Sequence, residues 1–327
     1  MTAVFIVDEA YVRPFAVAVS SLLEHHPQEL EMYVVDVGIT AASWDKLQQI
    51  CPLLWSVAWW SDRACRLQPR QPSAVPRDWG LWAKLWLDQY LPDHLSHVLY
   101  LDADILVRAS LVPLWECRTR MLPHEVLAAV RDFGCPCGDS KLTRFGWTER
   151  QVYFNAGVML LNLHTLRARR IGTLVVASLG QPLDAVLPLL DQDVLNLHVR
   201  EGEWFPLDYR WNVQGIDSYA GATAVVHIPG VEALCGEGHI VHFTGTANPT
   251  PAQLLNPYAV CATKPWVFGS THRLTADFFA ALDQTPFQGW RPHWESLIPG
   301  ISRDIQRLTT RLSLPTTPDA IVAKLLC

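Results

Sequence analysis

No apolar run in this chain approaches the roughly 20 residues that a helix needs to cross a bilayer, although half of the residues are hydrophobic. The sequence therefore predicts no transmembrane segment. No basic leader precedes Ala3-Val4-Phe5-Ile6-Val7, so no secretory signal is expected and the chain reads as cytoplasmic. No long basic run is present and the net charge is −6, which argues against nucleic acid as the main partner. None of the eight cysteines forms a Cys-x-x-Cys pair. They read as the reduced thiols of a cytosolic protein. Cys135-Pro136-Cys137 is the one cluster, and a zinc site there would need two further ligands; it reads as a loop. Internal repeats and low-complexity tracts are also missing.

What is present is a chain of 327 residues, long enough for a large core. Strand and helix signals alternate through its first third. Strands are expected at 3–7, 32–37, 55–60 and 97–101, and helices at 14–25, 41–50 and 79–90. Pro14 is tolerable in a first helical turn. The four prolines of 67–78 mark an irregular loop. This order predicts an α/β fold with a mostly parallel central sheet covered by helices. Further strands are expected near 126–130, 157–161 and 238–243, with helices from Leu190 and over 272–283. Of the 14 tryptophans, Trp59-Trp60 and the set Trp79, Trp82, Trp86 read as core filling, the latter at helical spacing.

The most informative stretch is Val98-Leu99-Tyr100-Leu101-Asp102-Ala103-Asp104. An apolar run reads as a buried strand, and two carboxylates stand where it ends. Residues two apart in an extended chain face one side. Two carboxylates on one side repel, and burying both is costly. A hard divalent cation such as Mn²⁺ or Mg²⁺ resolves the conflict. In open α/β sheets that edge is where ligands bind. The spacing alone proves little, since Asp-x-Asp arises by chance about once per 300 residues, and Asp191-Gln192-Asp193 repeats it. Taken alone, the first copy also fits a strand end that caps the next turn.

Four segments in order carry more weight: Leu101-Asp102-Ala103-Asp104, Tyr153 to Asn162, Leu190-Asp191-Gln192-Asp193-Val194-Leu195-Asn196, and His242-Phe243-Thr244-Gly245. Together, over roughly residues 3–270, they closely resemble glycosyltransferase family 8. These are retaining enzymes that include the bacterial lipooligosaccharide galactosyltransferases and glycogenin. The resemblance implies a Rossmann-like nucleotide-diphospho-sugar transferase fold of glycosyltransferase A type. It implies transfer of a hexose from a UDP-sugar to an acceptor hydroxyl on a glycan, peptide or small molecule.

Carried over by position, the resemblance makes Asp102, Asp104 and His242 the metal ligands. A nitrogen beside two carboxylates favours Mn²⁺, with Mg²⁺ as the alternative. Asp8 and Tyr11 match uracil-binding positions. Lys84 stands where the family more often has Arg, which grips two oxygens where Lys supplies a point charge. Asp132 matches the aspartate that binds donor-sugar hydroxyls, and Asn155 and Ala156 match further sugar contacts. Asp191 and Gln192 match the catalytic pair beneath the sugar ring.

The chain departs from the family after His242. The family's Lys-Pro-Trp usually follows at once, with its Lys on the diphosphate. Here Thr246-Ala247-Asn248-Pro249-Thr250 intervenes, and Lys264-Pro265-Trp266 appears some sixteen residues later; either the loop is an insertion and Lys264 returns to bind the donor diphosphate, or that contact is lost. We therefore expect a transferase domain over 1–270 with an inserted loop at 246–266, and a small helical or irregular appendage over 271–327. Two other functions fit the same segments. One is a self-glycosylating primer of the glycogenin kind; the other is an idle nucleotide-sugar-binding module.

Overall fold

The computed structural model describes residues 1–26, 30–50, 57–59, 83–134, 140–148, 150–172, 189–216, 236–245, 264–270, 272–297 and 302. The proline-rich 67–78 loop, Trp60, Trp79, Trp82, the 135–137 cysteine cluster, Asn248 and most of the inserted loop and tail lie outside these residues.

The strands are β1 (Thr2–Val7), β2 (Glu31–Asp36), β3 (Val57–Trp59), β4 (His97–Leu101), β5 (Ile105–Val107), β6 (Leu127–Arg131), β7 (Phe154–Asn162), β8 (Trp204–Pro206) and β9 (Ile240–His242). Seven form one sheet in the order β3-β2-β1-β4-β7-β6-β8. Its pairs are parallel except those made by β7, which runs against β4 and β6. The expected mostly parallel sheet is what the structure shows. All nine residues of β7 are buried, as a strand covered on both faces requires. β5 and β9 form a second, antiparallel pair. Three-residue strands carry no readable period, so β5 and β8 do not stand out in the sequence.

Helices form where expected, with boundaries shifted by a few residues. Helix α1 (Val12–His25) admits Pro14 in its first turn. Helix α2 (Ala41–Ile50) is opened by Thr40, whose hydroxyl accepts from Ser43 N at 3.3 Å. The expected helix over 79–90 differs. Its described part is a 3₁₀ turn, Ala83–Trp86, followed by one α turn, Leu87–Tyr90. Pro92 drives Leu91 to an extended conformation (φ −82°, ψ 146°) and ends it there. Trp86, Tyr90, Tyr100, Trp147, Tyr153, Phe154 and Trp204 pack into one core cluster.

Contacts from α1 seat β5. Ser21 Oγ accepts from Val107 N at 3.0 Å, and His26 Nε2 accepts from Leu111 N at 2.8 Å. In turn the register of β5 with β9 sets Ile105 opposite His242.

The chain divides into two compact units. The first comprises Met1–Gln214, Val226–His242 and Ala281–Gln288; the second comprises Gly215–Val225, Phe243–Ala280 and Gly289–Cys327. Within the second, Phe243, Trp266 and Phe278 form a ring cluster with centroids 5.1 to 6.1 Å apart.

One core acid gives a pH prediction. Asp88 is buried, and burial pushes its pKa up to about 6, against opposing backbone hydrogen bonds and Arg167. A raised carboxyl favours the fold while protonated, below its unfolded value, and that contribution is lost as pH rises through about 6. Asp88→Asn should therefore stabilise the protein at pH 7.5, by up to about 3 kcal/mol, and change little at pH 4. Urea midpoints at the two pH values check this. An equal shift at both would remove the titration as the cause.

Candidate functional site

Backbone geometry brings the acidic pair to the histidine. β4 ends at Leu101, and Asp102 N donates to Gly157 O at 2.8 Å, extending the β4–β7 ladder by one step. Asp104 lies in the bend before β5, next to Ile105, the residue that pairs with His242. As a result His242 Nε2 stands 3.5 Å from Asp102 Oδ2 and 3.3 Å from Asp104 Oδ1. Each of the three residues offers a ligand atom, and these lie within 4.8 Å of one another. Asp104 and His242 are buried.

This donor set fits a divalent cation. Two carboxylate oxygens and an imidazole nitrogen converge on one point, the mixed set that a first-row metal accepts. Gly157 keeps the floor of the site open. A Cβ on it would stand 2.2 Å from His242 Cε1 and 2.9 Å from Asp102 Oδ2. Any side chain there would displace two of the three donors.

Lys84 lies beside the acidic pair. Its Nζ is 2.6 Å from Asp191 Oδ2 and 3.5 Å from Asp102 Oδ1, and it sits over the Tyr100 ring. Burial works against the ammonium, but Asp102 and Asp191 outweigh it and hold the Lys84 pKa well above the ordinary lysine value. Burial raises Asp191, and the Lys84 contact opposes that rise. Tyr100 OH donates to Asp102 Oδ1. Lys84 thus bridges one carboxylate of the Asp102–Asp104–His242 group to the carboxylate that opens the Leu190–His198 helix.

That helix separates its own Asp-x-Asp pair. Residues two apart on a helix diverge by about 200°. Asp191 meets Lys84, whereas Asp193 is fully buried, accepting from Tyr153 OH at 2.6 Å and Leu189 N at 2.7 Å. The same spacing in the bend after β4 converges. One turn on, Asn196 brackets Phe154, accepting from its N and donating to its O, both at 2.9 Å. The helix is so pinned to β7, and Gln192 is delivered to the strand.

A polar network continues from there. Gln192 Oε1 accepts from Ala156 N at 2.9 Å, and its Nε2 donates to Asp132 Oδ2 at 3.0 Å. Asn155 Nδ2 donates to the same oxygen at 2.9 Å. The structure thus brings Asp102, Asp104, His242, Lys84, Asp191, Gln192, Asp132, Asn155 and Ala156 into one connected set. Asp8 and Tyr11 follow β1, which is parallel to β4 with Val4 opposite Tyr100. They stand at the same sheet edge, and Asp8 Oδ1 accepts from Tyr11 N at 3.0 Å. In the second unit, Lys264 is buried and donates to Phe243 O at 2.8 Å.

Sequence reasoning missed Tyr100, Asn212 and Gln214, whose side chains hold the site residues. A Tyr two places before an Asp on one strand face was a signal for the first. Isolated polar residues after Trp211 gave none.

The model of glycosyl transferase family 8 matches residues 2–249. The chain is 24% identical over 264 residues to General stress protein A of Bacillus subtilis, covering 77% of this chain and 87% of that protein. It is 24% identical over 234 residues to the lipopolysaccharide 1,3-galactosyltransferase of Salmonella typhimurium, covering 68% of this chain and 60% of that protein. Among solved structures it is similar to the galactosyltransferase LgtC in complex with donor and acceptor sugar analogs. The TM-score is 0.63 at 25% identity, over 88% of this chain and 96% of that one.

Proposed function

Because this chain belongs to glycosyltransferase family 8 and has a glycosyltransferase A-type fold, we propose that it moves a hexose from a UDP-sugar to an acceptor hydroxyl with retention of anomeric configuration. The observation that carries the reading is the convergence of Asp102, Asp104 and His242 beside the Asp132–Asn155–Gln192 network. Asp102, Asp104 and His242 would hold the cation, Mn²⁺ in preference to Mg²⁺ because one donor is nitrogen. A bound cation would act as Lewis acid on the departing diphosphate.

The remaining work falls to the chain's own groups. Asp8 and Tyr11 bind the uracil, by hydrogen bond and by stacking. Asp132, with Asn155 and Ala156, orients the sugar hydroxyls. As the anomeric carbon loses its phosphate, positive charge grows on the ring, and the buried Asp191 carboxylate with the Gln192 amide answers it. Lys84 pins Asp191 by their 2.6 Å contact and opposes the rise that burial gives its pKa. Such an anchored carboxylate suits charge stabilisation better than nucleophilic attack, so the acceptor attacks from the leaving-group side and the departing phosphate takes its proton.

The diphosphate carries more charge than one cation neutralises, and Lys264 supplies a second positive group. Lys264→Ala should lower kcat/KM by about 10²-fold; normal turnover would remove Lys264 from the donor site. The function itself is tested with a panel of UDP-sugars and Mn²⁺, scored by UDP release and by proton NMR of the product's anomeric centre. Release with an α-linked product is expected. A β-linkage refutes retention, and no release from any UDP-sugar with any acceptor refutes the transferase reading.

A further inference from the structure

Asn212 is fully buried and reaches the site from the segment between β8 and β9. It follows the 3₁₀ turn Tyr209–Trp211 and is fixed by its neighbours. Val213 N donates to Ile240 O at 2.9 Å, and His242 N donates to Val213 O at 2.9 Å. The backbone is thus strapped to β9 on either side of Val241, and Asn212 is held against the His242 ring. Its Oδ1 lies 3.1 Å from His242 Nδ1, and its Nδ2 donates to Asn155 Oδ1 at 2.8 Å.

The direction of every hydrogen bond in this chain is determined. Asn155 Oδ1 also accepts from Gly157 N at 2.9 Å, and a backbone N–H can only donate. Asn155 Nδ2 faces the Asp132 carboxylate, an acceptor. These two anchors fix the Asn155 amide. Asn212 must then present Nδ2 to Asn155 and Oδ1 to the histidine. A carbonyl oxygen accepts, so His242 Nδ1 carries the hydrogen. Nε2 is left facing Asp102 and Asp104. Gln214, two residues on and on the same side of the segment, reinforces the far end. It donates to Arg131 O at 3.0 Å and accepts from Phe133 N at 3.4 Å, clasping the backbone on both sides of Asp132.

We propose that Asn212 is a positioning residue that locks the His242 ring with Nε2 toward the acidic pair, and that it links this ligand through Asn155 to the Asp132 end of the site. The inference rests on the metal-site reading above. Metal-bound histidines depend on such partners, and their removal typically costs about 10- to 100-fold in metal affinity.

The test uses the full chain labelled with ¹⁵N-histidine, with the His242 signals assigned by their loss in His242→Gln. Two-bond ¹H–¹⁵N spectra of the metal-free protein report which nitrogen carries the hydrogen. Titration with Mn²⁺ alone, followed by electron paramagnetic resonance, reports affinity. The wild type should show hydrogen on Nδ1. Asn212→Leu should lose that preference and bind Mn²⁺ about 10- to 100-fold more weakly. Asn212→Asp still accepts from Nδ1–H, so it should keep the wild-type ring state and nearly wild-type affinity. It cannot donate to Asn155, so its donor KM should rise.

Hydrogen on Nε2 with none on Nδ1 in the wild type overturns the proposal without any variant. So does a folded Asn212→Leu with unchanged ring state and unchanged Mn²⁺ affinity. If Asn212→Leu fails to fold, the wild-type spectrum and the Asp variant decide. A wild type with hydrogen on Nδ1 but no Mn²⁺ binding refutes the metal reading while upholding the hold of Asn212 on the ring.

Discussion

Asp104→Asn or His242→Ala should lower kcat/KM by about 10³-fold or more, the upper range for removing a group that stabilises transition-state charge. Both side chains are buried, and His242 Nε2 lies 3.3 Å from Asp104 Oδ1. Asn keeps the shape of Asp but removes the charge. Ala removes the nitrogen donor and leaves the remaining pair too weak to hold the ion. The fold should survive, because β5 stays anchored through Ser21 and His26 and β9 through its pairing with Ile105 to Val107. A linked measurement separates site from fold. A ligand at about a hundred times its Kd stabilises by about 2.7 kcal/mol, so Mn²⁺ should raise the Tm of the wild type and not of the variants. Full turnover in excess chelator would sink the metal assignment.

Lys84→Met should destabilise the protein by about 3–5 kcal/mol, the range for removing one partner of a buried ion pair. Its ammonium touches Asp191 at 2.6 Å and Asp102 at 3.5 Å, and both Lys84 and Asp191 are nearly excluded from solvent. Met matches the stem in length but leaves Asp191 buried without that cation. Activity should fall with stability, since Asp191 and Asp102 both stand in the proposed site. Lys84→Arg keeps the charge and should recover most of the stability. Urea unfolding of the three proteins decides. A Met variant with the wild-type midpoint would show that the bridge contributes nothing to the fold.

The sequence by itself determined the sheet class and set an acidic pair at the end of one of its strands. Alternating apolar strands and helices dictated a mostly parallel sheet, because runs buried on both faces need helices above and below. An apolar strand running into two aspartates located the candidate site, and ordered segments supplied the histidine. Those signals are local, carried by period and by residue type. Only the tertiary structure decided which of two Asp-x-Asp pairs converges. Asp102 and Asp104 meet His242 because β5 pairs with β9, whereas Asp191 and Asp193 diverge around a helix. It also decided that Lys84 spends its charge on Asp191 and Asp102, and that Gly157 is glycine to make room for His242. The relay Asp132–Asn155–Asn212–His242 joins residues 23, 57 and 30 positions apart in the chain. No period marks such partners, since a single polar residue gains its meaning from the strand register that sets it against another.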